Sequence, residues 1–395
     1  MKLNKLVSLV AATAFVALPQ AEEAMTISEA IASGTPSLDM RLRNESVSGD
    51  GADGRALTLR TLLGYKTASY KGFYAFGQFE DSRVIAGVDD YKVGPAGFRT
   101  SSSDAVIADP ETTELDQAYL GYGDDMFKIK AGRQVVTMDN HRFVGHVGWR
   151  QDRQTFDGGV ISIMPIENMT LTYGFLDQRN RIFAEAADID SRDHLVNLSY
   201  KTPYGTAVGY AYLLENVASS QKIDSFGARF SGSAKMDSVK ALYTLEVAGQ
   251  HFDQGDASYD AMYVSAEGGA VYSGITAKVG YEMLGSDDGM YGFSTPLATL
   301  HKFNGWADMF LGTPADGLQD IYASIGTTFS GFKTMVVYHD FQAVEGSAQY
   351  GSEIDAVISK KLTDNLSASV KYANYQAEDY KVDTQKLWLS LQAKF

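Results

Sequence analysis

Arginine is the residue whose type and placement in this sequence bear most directly on chemistry. None follows Arg229, and Arg133, Arg142, Arg150, Arg153, Arg179, Arg181 and Arg192 crowd a single region. A planar guanidinium binds a carboxylate through two parallel hydrogen bonds, which gives such a group two uses. It can brace loops against nearby acids such as Asp139, Asp152, Asp157, Asp177 and Glu185, or it can meet an anionic or sugar-acid solute at a constriction. Both readings stand at this level. Enzymatic chemistry is poorly provided for: the six histidines form no HExxH spacing, there is no cysteine, and no GxSxG elbow occurs. His141 and His146 sit at a spacing that suits no common metal motif, and His339-Asp340 lacks a positioned serine. No catalytic residue, metal or cofactor is predicted.

The elements that must position these arginines are strands. The last residues, Leu387 to Phe395, place an apolar side chain at every second position with Ser390, Gln392 and Lys394 between them. Such a strand has one oily and one wet face, and as a free edge it would invite aggregation. Closure into a barrel removes the edge. Similar alternation recurs in segments of about ten residues, as membrane strands require. Examples are Leu38, Met40 and Leu42 against Asp39, Arg41 and Arg43, and Leu366, Ala368, Val370 and Tyr372 against Ser367, Ser369 and Lys371. With weaker segments included the count is about 18 strands, a size at which barrels leave an aqueous channel. By alternation alone, Arg41, Arg43, Arg60, Lys128, Lys130, Arg229 and Lys240 face the lumen, together with Asp39, Glu45, Glu246, Glu282, Glu353 and Asp355.

Long and short connections take turns. Short ones include Gly123-Asp124-Asp125, Thr202-Pro203-Tyr204-Gly205 and Ser330-Gly331; the long ones run roughly over 81–113, 136–153, 178–191 and 285–317. This is the asymmetry of an outer-membrane barrel with periplasmic turns and extracellular loops. Tyr 23, Phe 20 and Gly 38 against Pro 8 and Cys 0 agree with many aromatic strands and exclude a disulfide-stapled module. At the other end, Lys2 and Lys5 precede an apolar run from Leu6 to Leu18 and the small-residue site Pro19-Gln20-Ala21. Residues 1–21 therefore read as a secretory signal peptide, residues 22–37 as a short periplasmic segment, and residues 38–395 as one all-β, antiparallel, up-and-down transmembrane barrel. A net charge of -15 excludes nucleic acid as a partner. The predicted location is the outer membrane of a Gram-negative bacterium, in contact with lipid and lipopolysaccharide, with the terminal Phe395 offered to barrel-assembly machinery.

Two stretches go beyond pattern. The first begins Ala131-Gly132-Arg133-Gln134 and continues from Asp139-Asn140-His141-Arg142 through Trp149-Arg150-Gln151-Asp152-Arg153 to Phe156-Asp157-Gly158. The second is Thr295-Pro296-Leu297-Ala298-Thr299-Leu300-His301-Lys302-Phe303-Asn304-Gly305-Trp306-Ala307-Asp308. The first resembles the hallmark of the alginate-export family of outer-membrane barrels, a GRQ strand end leading through an arginine-rich loop to WRQ and an FDG strand start; the second is similar to a later loop of that family. The resemblance implies a monomeric 18-stranded barrel and an infolded constriction loop, with Arg133, Asp139, Arg142, Trp149, Arg150, Arg153 and Asp157 as its candidate residues. Trp149 and Phe156 are expected to anchor this loop at the barrel rim or in the aromatic belt, and Asp139, Asp152 and Asp157 to partner its arginines. The function expected is passive diffusion of small hydrophilic solutes, anionic or saccharide. Export of alginate or another polysaccharide is the alternative, and a barrel-embedded hydrolase the competing class.

Overall fold

The computed structural model describes residues 26–94 and 103–395; the expected signal peptide lies outside the described residues. The chain opens on a short helix, α1 (Ile27–Ala32), started by a reciprocal cap in which the Glu29 amide donates to Thr26 Oγ1 and the Thr26 amide to Glu29 Oε2. The first strands are β1 (Thr35–Gly49), β2 (Gly54–Lys66), β3 (Phe73–Asp90), β4 (Thr112–Gly123) and β5 (Phe127–Arg133). The next are β6 (Thr155–Ile163), β7 (Met169–Asn180), β8 (Ile189–Thr202), β9 (Gly205–Asn216) and β10 (Gln221–Met236). Then come β11 (Val239–Gln254), β12 (Ala257–Tyr272) and β13 (Ile275–Leu284), followed by a loop hairpin of β14 (Ser286–Asp287) and β15 (Tyr291–Gly292). The chain ends with β16 (Leu318–Phe329), β17 (Phe332–Gln342), β18 (Gln349–Lys361), β19 (Leu366–Ala377) and β20 (Thr384–Lys394).

Apart from the loop hairpin, these strands form one 18-stranded antiparallel sheet. It closes because β20 pairs with β1, from Asp39 opposite Lys394 to Gly49 opposite Thr384. The Leu38 and Phe395 backbones complete the seam with hydrogen bonds in both directions, at 3.0 and 2.8 Å. The terminal strand thus meets the neighbour that its alternation demands, and no ladder is left open to lipid.

Alternation sorts the two faces of the wall. On β20, Leu387, Leu389 and Leu391 are exposed on the outside while Lys386 and Trp388 are buried inside. On β1, Leu42 points out and Arg41, Arg43 and Glu45 point in, all three buried. Phe79, Leu120, Phe226, Leu245, Val279 and Ile325 extend the same outward apolar surface. A closed sheet with an apolar belt and a polar interior is a membrane-spanning structure.

Two expected loops are shorter than their sequence suggests. Strand β3 continues to Asp90, so its connection to β4 covers 91–111 rather than 81–113. Likewise β7 and β8 extend the wall until only 181–188 remains between them, in place of 178–191. Beyond the bilayer both faces of a strand meet water or loops, so alternation fades while the ladder continues: Asp81, Ser82 and Arg83 still pair with β2.

Candidate functional site: a constriction built from two infolded loops

The segment 134–154 between β5 and β6 and the segment 285–317 between β13 and β16 both enter the barrel and bind each other. Val144 and Leu297 form a parallel bridge. The Gly145 amide donates to the Leu297 carbonyl at 2.7 Å and the Thr299 amide to the His141 carbonyl at 3.0 Å. Gln154 Nε2 ties the pair by donating to the carbonyls of Gly145 and Leu297. Gly145 is required here, because a Cβ would strike Thr299 Oγ1 and the Thr299 amide. Apolar anchors fix the loops to the wall: Phe143 packs between Tyr210 and Tyr263, and Phe310 against Phe341.

The wall arginines hold the first loop from the other side. Arg41 donates through Nε to Gln151 Oε1 at 2.9 Å and through Nη1 to the Gly148 carbonyl at 3.0 Å. Arg43 donates to the Trp149 carbonyl and pairs with Asp109. Gln151 Nε2 completes the junction on Thr58 Oγ1 at 2.9 Å. Arg60 instead pairs with Asp39 at 3.1 Å, and Arg229 with Glu246 at 2.7 Å, both along the wall. Lys128 and Lys130 line a cavity of about 410 Å³ below the loop, where Lys130 Nζ lies over the Tyr119 ring. Lys240 is exposed beside the β10–β11 turn and stands apart from the constriction.

The loop's own arginines find partners other than those expected. Arg142 pairs with Glu282 of β13 at 2.9 Å, and Arg150 with Glu45 of β1 and Asp308 of the second loop at 2.9 and 3.0 Å. Arg153 binds Asp116 of β4 and Gln78 of β3. Only Arg133 and Asp157 pair as read from the sequence, at 2.7 and 2.9 Å, and they clamp the two roots of the loop rather than its crossing. Asp139 accepts from Asn197 Nδ2, and Asp152 from the Ala184 amide. The reason is geometric: a loop crossing the lumen presents its arginines to inward carboxylates of distant strands.

Trp149 is not at the rim. Its ring lies in the lumen, stacked on His301 at 4.7 Å and edge-on to Trp388 at 5.7 Å; Phe156 is fully buried in the same interior. All three tryptophans of the chain converge on Lys371 Nζ, with Trp306, Trp149 and Trp388 ring centroids 3.8, 4.4 and 5.4 Å away. The ring faces supply the negative potential that a buried ammonium needs, and Lys371 also donates to His301 Nε2 at 2.6 Å. That bond fixes the tautomer, so His301 Nδ1 donates to Asp308 Oδ1 at 2.7 Å. Burial pushes the His301 imidazole down to about 3 against the pull of Asp308, and the charges of Lys371 and Arg150 add to the depression. Burial alone would raise Asp308, yet His301, Lys386 and Arg150 hold its carboxyl well below the usual range. Asp308, His301, Lys371, Trp306 and Trp388 were not singled out from the sequence. The inward alternation of Lys386 and Trp388 along β20 was the available signal.

Above the joined loops, on the extracellular side, lies a vestibule of about 980 Å³. Lys92, Arg150, Arg181, Lys381 and Lys386 line it, against Asp104 and Asp308. His339, the residue on which a hydrolase would depend, donates from Nδ1 to Asp320 Oδ1 at 2.9 Å and stacks on Phe341. Its neighbour Asp340 is instead bound by Gln342 Nε2.

A family model described as alginate export matches residues 51–283. Comparison with curated proteins gives no sequence match. Among solved structures, Pseudomonas aeruginosa OccK9 (OpdG) superposes with a TM-score of 0.72 at 15% identity, covering 93% of this chain and 100% of that one. Acinetobacter baumannii OccAB4 gives 0.72 at 13% identity, covering 92% and 99%. P. aeruginosa OccK2 (OpdF) in complex with glucuronate gives 0.71 at 16%, covering 93% and 98%. At these identities the likeness shows the barrel fold.

Proposed function

The chain belongs to the alginate-export family, and from that premise we propose that it is an outer-membrane porin-like channel through which small hydrophilic, anionic solutes diffuse passively. The observation that carries this reading is the basic-lined vestibule of about 980 Å³ standing directly on a constriction made by two loops rather than by the wall. Cations at a narrow passage favour anions, and selection then rests on width and charge. Solved neighbours of the same fold carry small carboxylates, glucuronate on OccK2 and vanillate on OpdK. Within this reading Arg142, Trp149, Arg150 and Arg153 form the constriction, Asp139 orients it from the wall side, and Arg133 with Asp157 holds its roots. Lys128 and Lys130 draw the same anions through the periplasmic mouth. Residues 1–21 are removed during export, and the outward Phe395 engages the assembly machinery.

Conductance of the purified protein in planar bilayers tests this. Discrete ion currents with anion preference are the expected result, and a barrel that passes neither ions nor small carboxylates overturns it. The family's description favours a second reading, export of a polysaccharide. A polymer would have to displace both loops along its whole length, so flux of uronate oligomers as fast as that of the monomer would support export over diffusion.

A further inference from the structure

Asp308 occupies a position of unusual chemistry for a loop carboxylate. A single oxygen, Oδ2, accepts from Arg150 Nη2 and from Lys386 Nζ, each at 3.0 Å. Arg150, Lys386 and Asp308 all line the floor of the vestibule, and the two cations are buried, at 5% and 6% exposure. Arg150 has a second carboxylate in Glu45, whereas Lys386 has no other acid partner among the described residues. Two fixed donors converging on one carboxylate oxygen make an anion site, and the chain fills it with its own side chain.

The segment that carries Asp308 crosses the lumen as a tight turn fastened at a few points. Asn304, Gly305 and Asp308 all sit in the left-handed region, with φ of 55, 84 and 63°. The Trp306 and Ala307 amides hang on Asp355 and Glu353 of the wall. Non-glycine residues in this region store strain that the surroundings must hold. Removing the Asp308 contacts therefore leaves the segment fastened at Trp306 and Ala307 and loosens it at Asp308.

We propose that Asp308 is a built-in surrogate for the solute, and that an incoming carboxylate takes its place between Arg150 and Lys386 and so unfastens the Asp308 end of the 304–308 segment from β20 and from the first loop. This rests on the channel reading above and adds a ligand site and a trigger to it. The exchange conserves hydrogen bonds: the solute oxygen accepts from Arg150 and Lys386, while Asp308 Oδ2 turns to vestibule water and Oδ1 keeps His301. The walls immediately above the site include Val47, Phe183, Leu300, Met309 and Val382. They give the apolar body of a carboxylate solute surface to pack against while its charge meets Arg150 and Lys386.

The test uses the full-length protein in planar bilayers, with potassium benzoate titrated against KCl at constant ionic strength. In the native protein benzoate is expected to raise open probability saturably where chloride does not. The Asp308→Asn variant is expected to open about tenfold more without benzoate, the scale of one charge-assisted hydrogen bond lost. Lys386→Met, with barrel closure checked by heat-shifted gel mobility, is expected to lose the benzoate response. Native opening and a native benzoate response in Asp308→Asn would overturn the proposal, and so would a native protein that conducts but ignores benzoate. A native protein that conducts nothing under any condition would instead defeat the channel reading itself. Glucuronate acting as strongly as benzoate would overturn the part given to the apolar walls.

Discussion

Replacing Arg142 by methionine separates bracing from solute contact, the two uses of arginine that the sequence leaves open. Arg142 is 1% exposed, pairs with Glu282 at 2.9 Å, and lies against the rings of Phe303 and Tyr263 at 4.8 and 5.8 Å. Removing one partner of a buried pair costs about 3–5 kcal/mol because the other charge is stranded. Two donors remain on Glu282, Tyr263 Oη and Asn304 Nδ2, both at 2.6 Å. They place the loss near the low end, about 3 kcal/mol, to which the lost ring contacts add about 0.5–2 kcal/mol. The double variant Arg142→Met/Glu282→Gln removes both charges, and its cost is expected to fall to about 1–2 kcal/mol, well below the sum of the two single-variant costs. Urea unfolding of the barrel in lipid vesicles, followed by tryptophan fluorescence, measures all three. Single-variant costs that simply add would refute the reasoning, since they would mean that the pair is solvated and braces nothing. If Arg142 only braces, anion preference measured by reversal potential stays native in the double variant.

Trp149→Ala removes the ring that stacks on His301 and faces Lys371 and is expected to cost about 3–5 kcal/mol, with noisier single-channel currents as the loop loosens; a stability change under 1 kcal/mol would place the ring outside the packed interior. Acid is expected to weaken the constriction through His301, whose folded value of about 3 lies below its ordinary range. The sign follows from linkage: between pH 6.5 and 3 the unfolded imidazole binds a proton that the folded one refuses, so stability falls with pH by about 1.4 kcal/mol per unit, or about 3 kcal/mol by pH 4.5. Asp308, Lys371 and Arg150 face the ring and remain in a His301→Gln variant, so comparing its urea unfolding at pH 7 and 4.5 with the native protein isolates this slope, and identical slopes would refute the assignment. Replacing Lys128 and Lys130 together by glutamine is expected to shift reversal potential toward cations while costing about 0.5–1 kcal/mol of stability from the lost Tyr119 contact; unchanged selectivity would remove the periplasmic mouth from the solute's path.

The wall was legible because a period of two is written into every spanning strand. Arg41, Arg43 and Glu45 could be assigned inward from β1 alone, and the need for β20 to be closed by a neighbour followed from its oily face. The constriction was legible only in its identity as an arginine-rich loop. Its pairings join residues such as Arg142 and Glu282, or Arg150 and Asp308, that no local spacing connects, and they form only once a loop has entered the barrel. Trp149 was misplaced for a related reason. An indole suits both a lipid interface and a buried ammonium, and nothing near position 149 reveals that Lys371 waits on the opposite wall.

The two loops meet the barrel wall through rings on some strands and through charged groups on others. Around β9 to β12 the loops meet the wall through Phe143, Tyr210, Tyr212 and Tyr263, and around β16 to β19 through Phe310, Phe341, Tyr350 and Tyr375. Along β20 and β1 the contacts are instead Lys386, Glu45, Arg43 and Arg41, and beyond them Arg60 pairs with Asp39 along the wall near the periplasmic end of β1. Buried ion pairs are weak contributors to stability compared with apolar packing of the same volume, so a plug selected only to seal would gain by extending the aromatic side all the way round. Water and ions, by contrast, can replace one partner of a charged pair and cannot replace a ring contact. We therefore expect solute and ions to pass along the charged seam from Asp308 down β1 rather than past the ring contacts. The chain has no cysteine, so single cysteines introduced at Thr58 on the seam and at Tyr212 on the aromatic side report access unambiguously. A water-soluble, negatively charged thiol reagent is expected to react at Thr58→Cys far faster than at Tyr212→Cys, and to reduce conductance only there. Equal reaction at both positions would place the path elsewhere in the lumen.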